Sequence, residues 1–444
     1  MSDAELVALV CCDLGAIVRG RSVLATELAG PLRDGVGWVP ANHALTPLGP
    51  VADPNPFGST GDLRLLPDAR TRVRVSADAH GHEPLELLLC DIVELDGTPW
   101  ECCPRGFLRD ALRDLDSVLG ARLRASFEHE FQLTAPPAAG WPRSPALPFS
   151  LDAQRRAEPF PRQLMAALAE AGLEPERFFA EYAPRQFEVP LAPSEGLAAA
   201  DRSVVLREIV REVARRNGTR ASFVPLADPA EAGNGLHIHF DLLDADGRPL
   251  LYDAARPAGL SELGARFAAG VLAHARALSA LTAASPVSGA RLRPHRWSAG
   301  AVCLAQRNRE ALLRIPPLVA LGGGDPAAQL HLEYRGADAS ANPYLALGAI
   351  VRAGLHGIRE QLAPPPLLER DPAELGGEEA ERFGVGALPA TLEESLDALA
   401  GDTIVRGWLS PLLYDAYVSV KRAELAATRD MDLEAACARY GEIY

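Results

Sequence analysis

The chain has 444 residues, of which 48% are hydrophobic and 23% charged, and this composition is typical of a globular protein rather than a disordered or fibrous one. Its formal net charge of -15 argues against a protein that binds nucleic-acid backbones over a broad surface. No apolar run approaches the ~20 residues of a membrane span, and the first residues lack a secretory signal pattern. We therefore expect a cytoplasmic protein without nucleic-acid or membrane partners.

Short strands separated by turns are predicted in the first hundred residues, a pattern typical of a small sheet-rich domain. The predicted strands are Leu6 to Asp13, Asp62 to Leu66, Arg70 to Val75 and Leu85 to Val93. From Pro104 onward the pattern changes to longer elements. We therefore predict two domains, one of residues 1–103 and one of residues 104–444.

Longer elements with clear end signals are predicted in the second domain. Gly218 is placed to stop a helix, Asn342 to cap another, and Thr391 to begin a third with a capping box. The predicted elements are a strand over 122–133 and helices over 109–119, 195–217, 262–281 and 343–361. Two proline-rich stretches, 135–162 and 363–389, are predicted to be surface loops or flaps.

Acidic and histidine side chains alternate with apolar ones on several predicted strands. Because strand side chains point alternately to opposite faces, Glu128 and Glu130 share one face of their strand. The same alternation predicts three further polar faces: His237, His239 and Asp241; His331, Glu333 and Arg335; and Glu188, which Glu181 precedes across a bend. One such face is most simply solvated, but several in one chain indicate a sheet whose concave side is a site.

Carboxylates that share a face repel one another unless a cation or a proton lies between them. Oxygen ligands of this kind favour Mg²⁺ or Mn²⁺ over zinc, and His237 is a plausible single nitrogen ligand. His239, on the same face, is a candidate phosphate contact. The sequence therefore predicts a site for divalent cations.

A cluster of arginines follows in the segment 307–314. Guanidinium groups suit carboxylate and phosphate oxygens, although alone they are as readily surface salt-bridge partners. Beside a site for divalent metals, these arginines would supply the remaining positive charge that phosphoryl transfer requires to neutralise the phosphate oxygens.

Taken together and in order, these segments resemble the class I glutamine synthetase superfamily over nearly the whole chain. The matching stretches are 127–131, 181–188, 232–239, 308–314 and 333–347. Each is weak alone, but their order and spacing are specific. The resemblance implies an α+β chain with an N-terminal β-grasp domain and a catalytic domain whose antiparallel sheet forms a funnel surrounded by helices. It also implies a homo-oligomer, commonly a dodecamer of two stacked hexameric rings.

The resemblance implies roles for individual residues as well. It implies two metal-ligand sets for two or three Mg²⁺ or Mn²⁺ ions: Glu130, Glu181 and Glu188, and Glu128, His237 and Glu333. The positions that match ATP-binding residues are His239, Arg309 and Arg314. The positions that match glutamate-binding residues are Glu130, Gly233, Arg291 and Arg335. The implied catalytic residues are Arg309, Glu188 and His239.

The implied reaction has two steps: ATP phosphorylates the γ-carboxylate of glutamate, and an amine then attacks the acyl phosphate. The stretch that would bind ammonium departs from the family pattern, however. Trp297 stands about where ammonia-using members carry a glutamate, and the usual N-terminal aspartate has only Asp34 as a candidate. An aromatic side chain in place of an acid suits an amine pocket for a larger, less polar amine.

We therefore predict an ATP-dependent ligase that joins glutamate to an organic amine. An aryl or small alkyl amine is favoured over a polyamine, whose charges would require acids in the pocket. Two alternatives stay open: an ordinary glutamine synthetase with an altered ammonium site, and a non-catalytic structural or regulatory homologue. The complete metal-ligand set favours an enzyme.

Overall fold

The computed structural model describes residues 5–78, 81–134, 146–296 and 298–444. No helix in these ranges is both long and apolar enough to cross a membrane. The strands are β1 (Leu6–Cys12), β2 (Val18–Leu24), β3 (Val36–Trp38), β4 (Leu63–Pro67), β5 (Val73–Val75), β6 (Leu85–Val93), β7 (Arg122–Thr134), β8 (Phe179–Ala180), β9 (Gln186–Val189), β10 (Ser194–Glu195), β11 (Arg220–Ser222), β12 (Leu236–Leu243), β13 (Ala301–Gln306), β14 (Ala311–Ile315), β15 (Leu332–Tyr334) and β16 (Leu367–Leu368). The α-helices are α1 (Ala29–Asp34), α2 (Pro104–Leu119), α3 (Leu151–Arg156), α4 (Phe160–Glu170), α5 (Gly196–Arg216), α6 (Glu262–Ala273), α7 (Ala275–Thr282), α8 (Ser288–Arg291), α9 (Pro326–Gln329), α10 (Pro343–Arg359), α11 (Gly377–Phe383), α12 (Leu392–Gly401), α13 (Thr403–Arg406), α14 (Pro411–Thr428) and α15 (Leu433–Gly441).

The N-terminal sheet has the strand order β2-β1-β6-β4-β3, and β5 also pairs with β6. β1 runs parallel to β6 and antiparallel to β2. Helix α1 packs against β4. This mixed sheet is the β-grasp arrangement that the resemblance implied.

A second, larger sheet has the order β16-β13-β14-β15-β12-β7-β9-β8, and β10 and β11 pair with β7. Most of its pairs are antiparallel, but β13 runs parallel to both β14 and β16. Its apolar face is buried beneath α5, which packs on β7. The predicted α+β fold with a funnel-like catalytic sheet is confirmed.

The helices around this sheet pack closely where small residues allow it. A Cβ atom on Gly270 of α6 would lie 2.0 Å from the carbonyl oxygen of Ala353 in α10. The two helix backbones therefore approach to a distance that only glycine tolerates.

Several elements differ from their prediction for local reasons. The predicted helix over 262–281 is two helices, because His274 leaves helical geometry at φ -104° and ψ 7°. Helix α2 begins at Pro104, earlier than predicted, since the Sγ of Cys103 accepts a hydrogen bond from the Gly106 N–H and acts as the N-cap. The part of the first proline-rich stretch that the structure describes holds α3 and the start of α4, and the second holds β16 and α11. Residues 135–145 lie outside the described residues.

Candidate active site

The acidic and histidine side chains of the central strands form one row across the large sheet. Strand register sets them directly opposite one another in three pairs: Glu188 with Glu130, Glu128 with His237, and His239 with Glu333. Directly opposite residues of antiparallel strands project to the same face. The predicted polar faces of β9, β7, β12 and β15 therefore meet in a single row.

The side chains of this row lie close enough to share a cation. Oε2 of Glu128 lies 3.1 Å from Nε2 of His239 and 3.4 Å from Nδ1 of His237. Two groups of three have ligand atoms within 4.8 Å of one another: Glu128, Glu188 and His237, and Glu128, His239 and Glu333. This grouping differs from the two implied ligand sets, since Glu128 belongs to both groups and His239 takes part.

Glu130 and Glu181 belong to neither group of three. Oε2 of Glu130 accepts hydrogen bonds from the Gly235 N–H at 2.8 Å and from Nε2 of Gln186 at 3.2 Å. The Tyr182 backbone N–H hydrogen-bonds the Glu181 carboxylate. Glu130 in the row and Glu181 beside it are thus each held by their own donors.

These side chains line a cavity of about 1010 Å³. The predicted site residues on its wall are Glu128, Glu130, Glu181, Glu188, Gly233, His237, His239, Arg291, Arg309, Arg314, Glu333 and Arg335. Trp297 lies outside the described residues, so the predicted amine pocket stays a prediction. Asp34 is exposed on the N-terminal domain and pairs with Arg33 at 2.5 Å.

At the β9 end of the row, the carboxylates raise one another's pKa. Burial and the charge of Glu130 raise the pKa of Glu181 to about 8. Burial and the charges of Glu128 and Glu130 raise the pKa of Glu188 well above its usual range. A divalent cation would relieve this repulsion, and carboxylate oxygens with imidazole nitrogens suit Mg²⁺ or Mn²⁺. The donor set therefore fits the metal that the resemblance implies.

At the β14–β15 end of the row, two arginines keep the Glu333 carboxylate ionised. Nη1 of Arg314 lies 2.6 Å from Oε2 of Glu333, and Arg335 forms a second ion pair with the same carboxylate. Although burial opposes it, the positive charges of Arg335 and His239 lower the pKa of Glu333 to about 2. Nε of Arg335 also donates to the backbone oxygen of Arg309 at 3.1 Å. This end of the row is therefore rich in positive charge.

Two hydrogen bonds and one ion pair indicate the protonation of His239. Nδ1 of His331 lies 2.7 Å from the carbonyl oxygen of Gln329, so this nitrogen must donate. Nε2 of His331 then accepts from Nδ1 of His239 at 3.0 Å, and Nε2 of His239 faces the Glu128 carboxylate at 3.1 Å. We assign a proton to both nitrogens of His239: burial lowers its pKa, but the charge and hydrogen bond of Glu128, together with the charge of Glu333, raise it above its usual value. His239 thus adds positive charge to this side of the cavity.

Arg291 is buried against the loop that precedes β12. Its Nη2 donates to the carbonyl oxygen of Ala337 at 2.7 Å, while its buried Nε has no hydrogen-bond partner among the described residues. A Cβ atom on Gly233 would lie 2.3 Å from the Pro225 carbonyl oxygen and 2.7 Å from Cγ of Arg291. Only glycine fits there, so the backbone of this loop can approach a small ligand.

Sequence analysis missed Gln186 as a site residue. Besides Glu130, its Nε2 contacts the Gly233 carbonyl oxygen at 2.9 Å and Oδ1 of Asn234 at 3.0 Å, and so joins β9 to the glycine loop. The available signal was strand alternation, which places Gln186 on the same face as Glu188. Three aromatic wall residues were missed as well: Phe149, Phe179 and Tyr182.

Comparison with known proteins covers the whole chain. Residues 1–100 match the family model of the glutamine synthetase N-terminal domain, and residues 101–440 match that of the glutamine synthetase catalytic domain. The gamma-glutamylpolyamine synthetase GlnA3 of Streptomyces coelicolor is 34% identical over 98% of this chain and 92% of its own length. A crystal structure of a novel glutamine synthase homolog has a TM-score of 0.91 and 46% identity, covering 100% of this chain and 99% of that one. GmaS without ligand has a TM-score of 0.81 and 26% identity, covering 97% and 94%.

Proposed function

Because the chain belongs to the glutamine synthetase family, we propose that it forms a γ-glutamyl amide from glutamate and an organic amine. Membership makes it an ATP-dependent carbon–nitrogen ligase, so the enzymatic interpretation of the sequence is confirmed. One observation supports an organic amine over ammonium: the cavity wall bears three aromatic side chains at the β9 end of the row. Similarity to a γ-glutamylpolyamine synthetase makes a polyamine the second candidate.

In the proposed reaction, arginines bind the anionic parts of both substrates. Arg291 and Arg335, with the backbone at Gly233, would hold the α-carboxylate of glutamate, because guanidinium forks bind carboxylates in a bidentate manner. Arg309 and Arg314, with doubly protonated His239, would contact the phosphate oxygens of ATP. Both groups of cations lie on the wall of one cavity, where the two substrates must meet.

The proposed chemistry is a phosphoryl transfer followed by an acyl transfer. A γ-carboxylate oxygen of glutamate attacks the γ-phosphorus of ATP, and ADP leaves. The amine nitrogen attacks the resulting acyl phosphate, loses a proton, and inorganic phosphate leaves. Arg309 would neutralise negative charge on the transferred phosphoryl group, and Glu188 would help to hold a cation beside the reacting carboxyl group.

Divalent cations would complete the site. The proposed ligands of two or three Mg²⁺ or Mn²⁺ ions are Glu128, Glu130, Glu181, Glu188, His237 and Glu333. Bound there, the ions would supply charge neutralisation for phosphate oxygens. The grouping of the ligands around each ion follows the implied sets, because doubly protonated His239 has no free nitrogen to offer a cation.

Two structural expectations remain proposals. We propose a domain boundary between residues 103 and 104, and a homo-oligomer of two stacked hexameric rings. Light scattering of the purified protein measures the mass of the oligomer, and a mass of twelve chains would support the proposed rings.

An amine panel tests the proposed function. The protein is incubated with glutamate, ATP, Mg²⁺ and ammonium or one of a set of aryl, alkyl, hydroxyalkyl and polyamines, and phosphate release and product mass are measured. We expect at least one organic amine to exceed ammonium in kcat/KM by more than about tenfold, a difference of about 1.4 kcal/mol in transition-state binding. Trp297→Glu is expected to shift that ratio toward ammonium. Ammonium as the best substrate would instead establish an ordinary glutamine synthetase.

A further inference from the structure

Three aromatic side chains stand together on one side of the cavity: Phe149, Phe179 and Tyr182, here called the aromatic wall. The rings of Phe149 and Tyr182 meet edge to face with centroids 4.9 Å apart, and those of Phe149 and Phe179 stack at 6.4 Å. Phe149 is 48% exposed and Tyr182 is 43% exposed. Clustered rings that remain this accessible offer apolar surface to a ligand.

Strand register connects the aromatic wall to the carboxylate row. Phe179 lies directly opposite Glu188, which lies directly opposite Glu130, so the three side chains share one face of the sheet. Tyr182 follows Glu181 in the chain, and its backbone N–H binds that carboxylate. The aromatic wall therefore extends the row at its β9 end, away from the arginines of the β14–β15 end.

Phe149 reaches the wall from a separate segment. It precedes α3, whose N-cap Ser150 accepts a hydrogen bond from the Ala153 N–H at 3.1 Å. Phe149 itself adopts a φ of 55°, in the left-handed region that is unfavourable for a bulky side chain. Leu147, two residues earlier, is 71% exposed and lies off the cavity wall.

Core packing does not account for the aromatic wall. Next to Phe179 in the chain, Phe178 stacks with the buried Phe187 at a centroid distance of 5.1 Å, and these two rings pack on the apolar side of the sheet. Phe149 and Tyr182 stay about half exposed, so folding buries only part of each ring. Their surface is available to a ligand that enters the cavity.

We propose, on the basis of the proposed ligase function, that the aromatic wall binds the ring of an amine that carries an aromatic substituent. A ring placed against these side chains would leave its amine nitrogen directed toward the carboxylate row, where the γ-carboxyl group of glutamate would react. Aromatic rings favour offset or edge-to-face contacts with a second ring, which the mutually perpendicular Phe149 and Tyr182 provide.

Amines of matched size test this inference. The kcat/KM of the protein is measured with benzylamine, cyclohexylmethylamine, methylamine and putrescine, with glutamate and ATP saturating. We expect benzylamine to be preferred, and Phe149→Ala and Tyr182→Ala each to lower the benzylamine-to-methylamine ratio of kcat/KM roughly tenfold, mainly through KM. Leu147→Ala, an exposed apolar truncation in the same segment, should leave that ratio unchanged.

The outcomes separate this inference from the proposed function. If the wild type forms amides but the two Ala variants change all amines equally, the aromatic wall does not bind the substituent and the ligase function stands. If putrescine is the best substrate and loses most in the variants, the wall binds an alkylammonium group and the inference is wrong. If no amine yields a γ-glutamyl amide, the proposed function fails.

Phe149→Leu keeps apolar bulk without a ring. Compared with Phe149→Ala, it should restore the kcat/KM for cyclohexylmethylamine more than that for benzylamine. Thermal unfolding shows that each variant is folded.

Discussion

The two ends of the carboxylate row carry the same side chain in opposite chemical surroundings. At the β14–β15 end, Glu333 is paired with Arg314 and Arg335, and its pKa falls to about 2. At the β9 end, Glu181 is buried near Glu130, and its pKa rises to about 8. Neighbours, rather than residue type, determine the charge at each end.

This contrast suggests that the two ends of the cavity bind different parts of the substrates. The arginine end suits anions such as phosphate and carboxylate groups. The opposite end, with repelling carboxylates beside the aromatic wall, suits cations and an apolar substituent. Substitutions in the middle of the row should affect every substrate, and substitutions at one end should affect the substrate bound there.

The largest effect is expected for Glu130→Gln, in the middle of the row. The amide keeps the shape of the side chain but removes a charge from the proposed metal site. We expect amide formation to fall more than about a hundredfold with every amine. The melting temperature in chelator should stay within a few degrees, because the amide oxygen still accepts from the Gly235 N–H. A change in amine KM alone would assign Glu130 to the amine site instead.

A smaller and more selective effect is expected for Arg335→Lys at the arginine end. Lysine cannot reproduce a bidentate carboxylate contact. We expect the KM for glutamate to rise about tenfold, with smaller changes in the KM for ATP and amine. Arg248→Lys is a matched control, because Arg248 pairs with Asp244 on the surface at 2.7 Å and lies off the cavity wall. Equal changes in all three KM values would contradict the assignment of Arg335 to glutamate.

The smallest effect is a pH dependence of stability that originates at the β9 end. The pKa of Glu181 is about 8 in the folded chain and in the usual carboxyl range when unfolded, so the folded state binds more protons between these values. Stability of the metal-free protein contributed by this group therefore falls as pH rises toward 8. Mg²⁺ should cancel the loss, so the melting-temperature gain on adding Mg²⁺ should grow by a few degrees from about pH 6 to about pH 8.

Thermal unfolding in chelator and in Mg²⁺, across that pH range, measures this effect. Glu181→Gln should flatten the pH dependence because its amide does not ionise. If the rise in melting temperature on adding Mg²⁺ does not vary with pH in the wild type, metal binding is not linked to the protonation of these carboxylates.

Sequence analysis predicted best those elements whose pattern is local. β6 has the predicted bounds, and β7 differs by one residue, because long alternating or apolar runs signal strands clearly. β2 was missed, since its Arg-Gly-Arg centre is largely exposed and has no apolar alternation. The break at His274 was missed because the flanking segments share one helical pattern.

The sequence by itself determined which side chains share a strand face, because alternation along an extended chain is a local property. It thereby identified Glu128, Glu130, Glu188, His237, His239, Glu333 and Arg335 of the cavity wall, and the order of the matching segments in the chain identified the family. Only the tertiary structure decided which strands are neighbours and in which register. Pairs such as Glu333 with Arg314 join distant segments, and a two-residue strand such as β8 carries no alternation that could place Phe179 beside Glu188. Phe149 reached the same wall through a loop conformation, which no periodicity encodes.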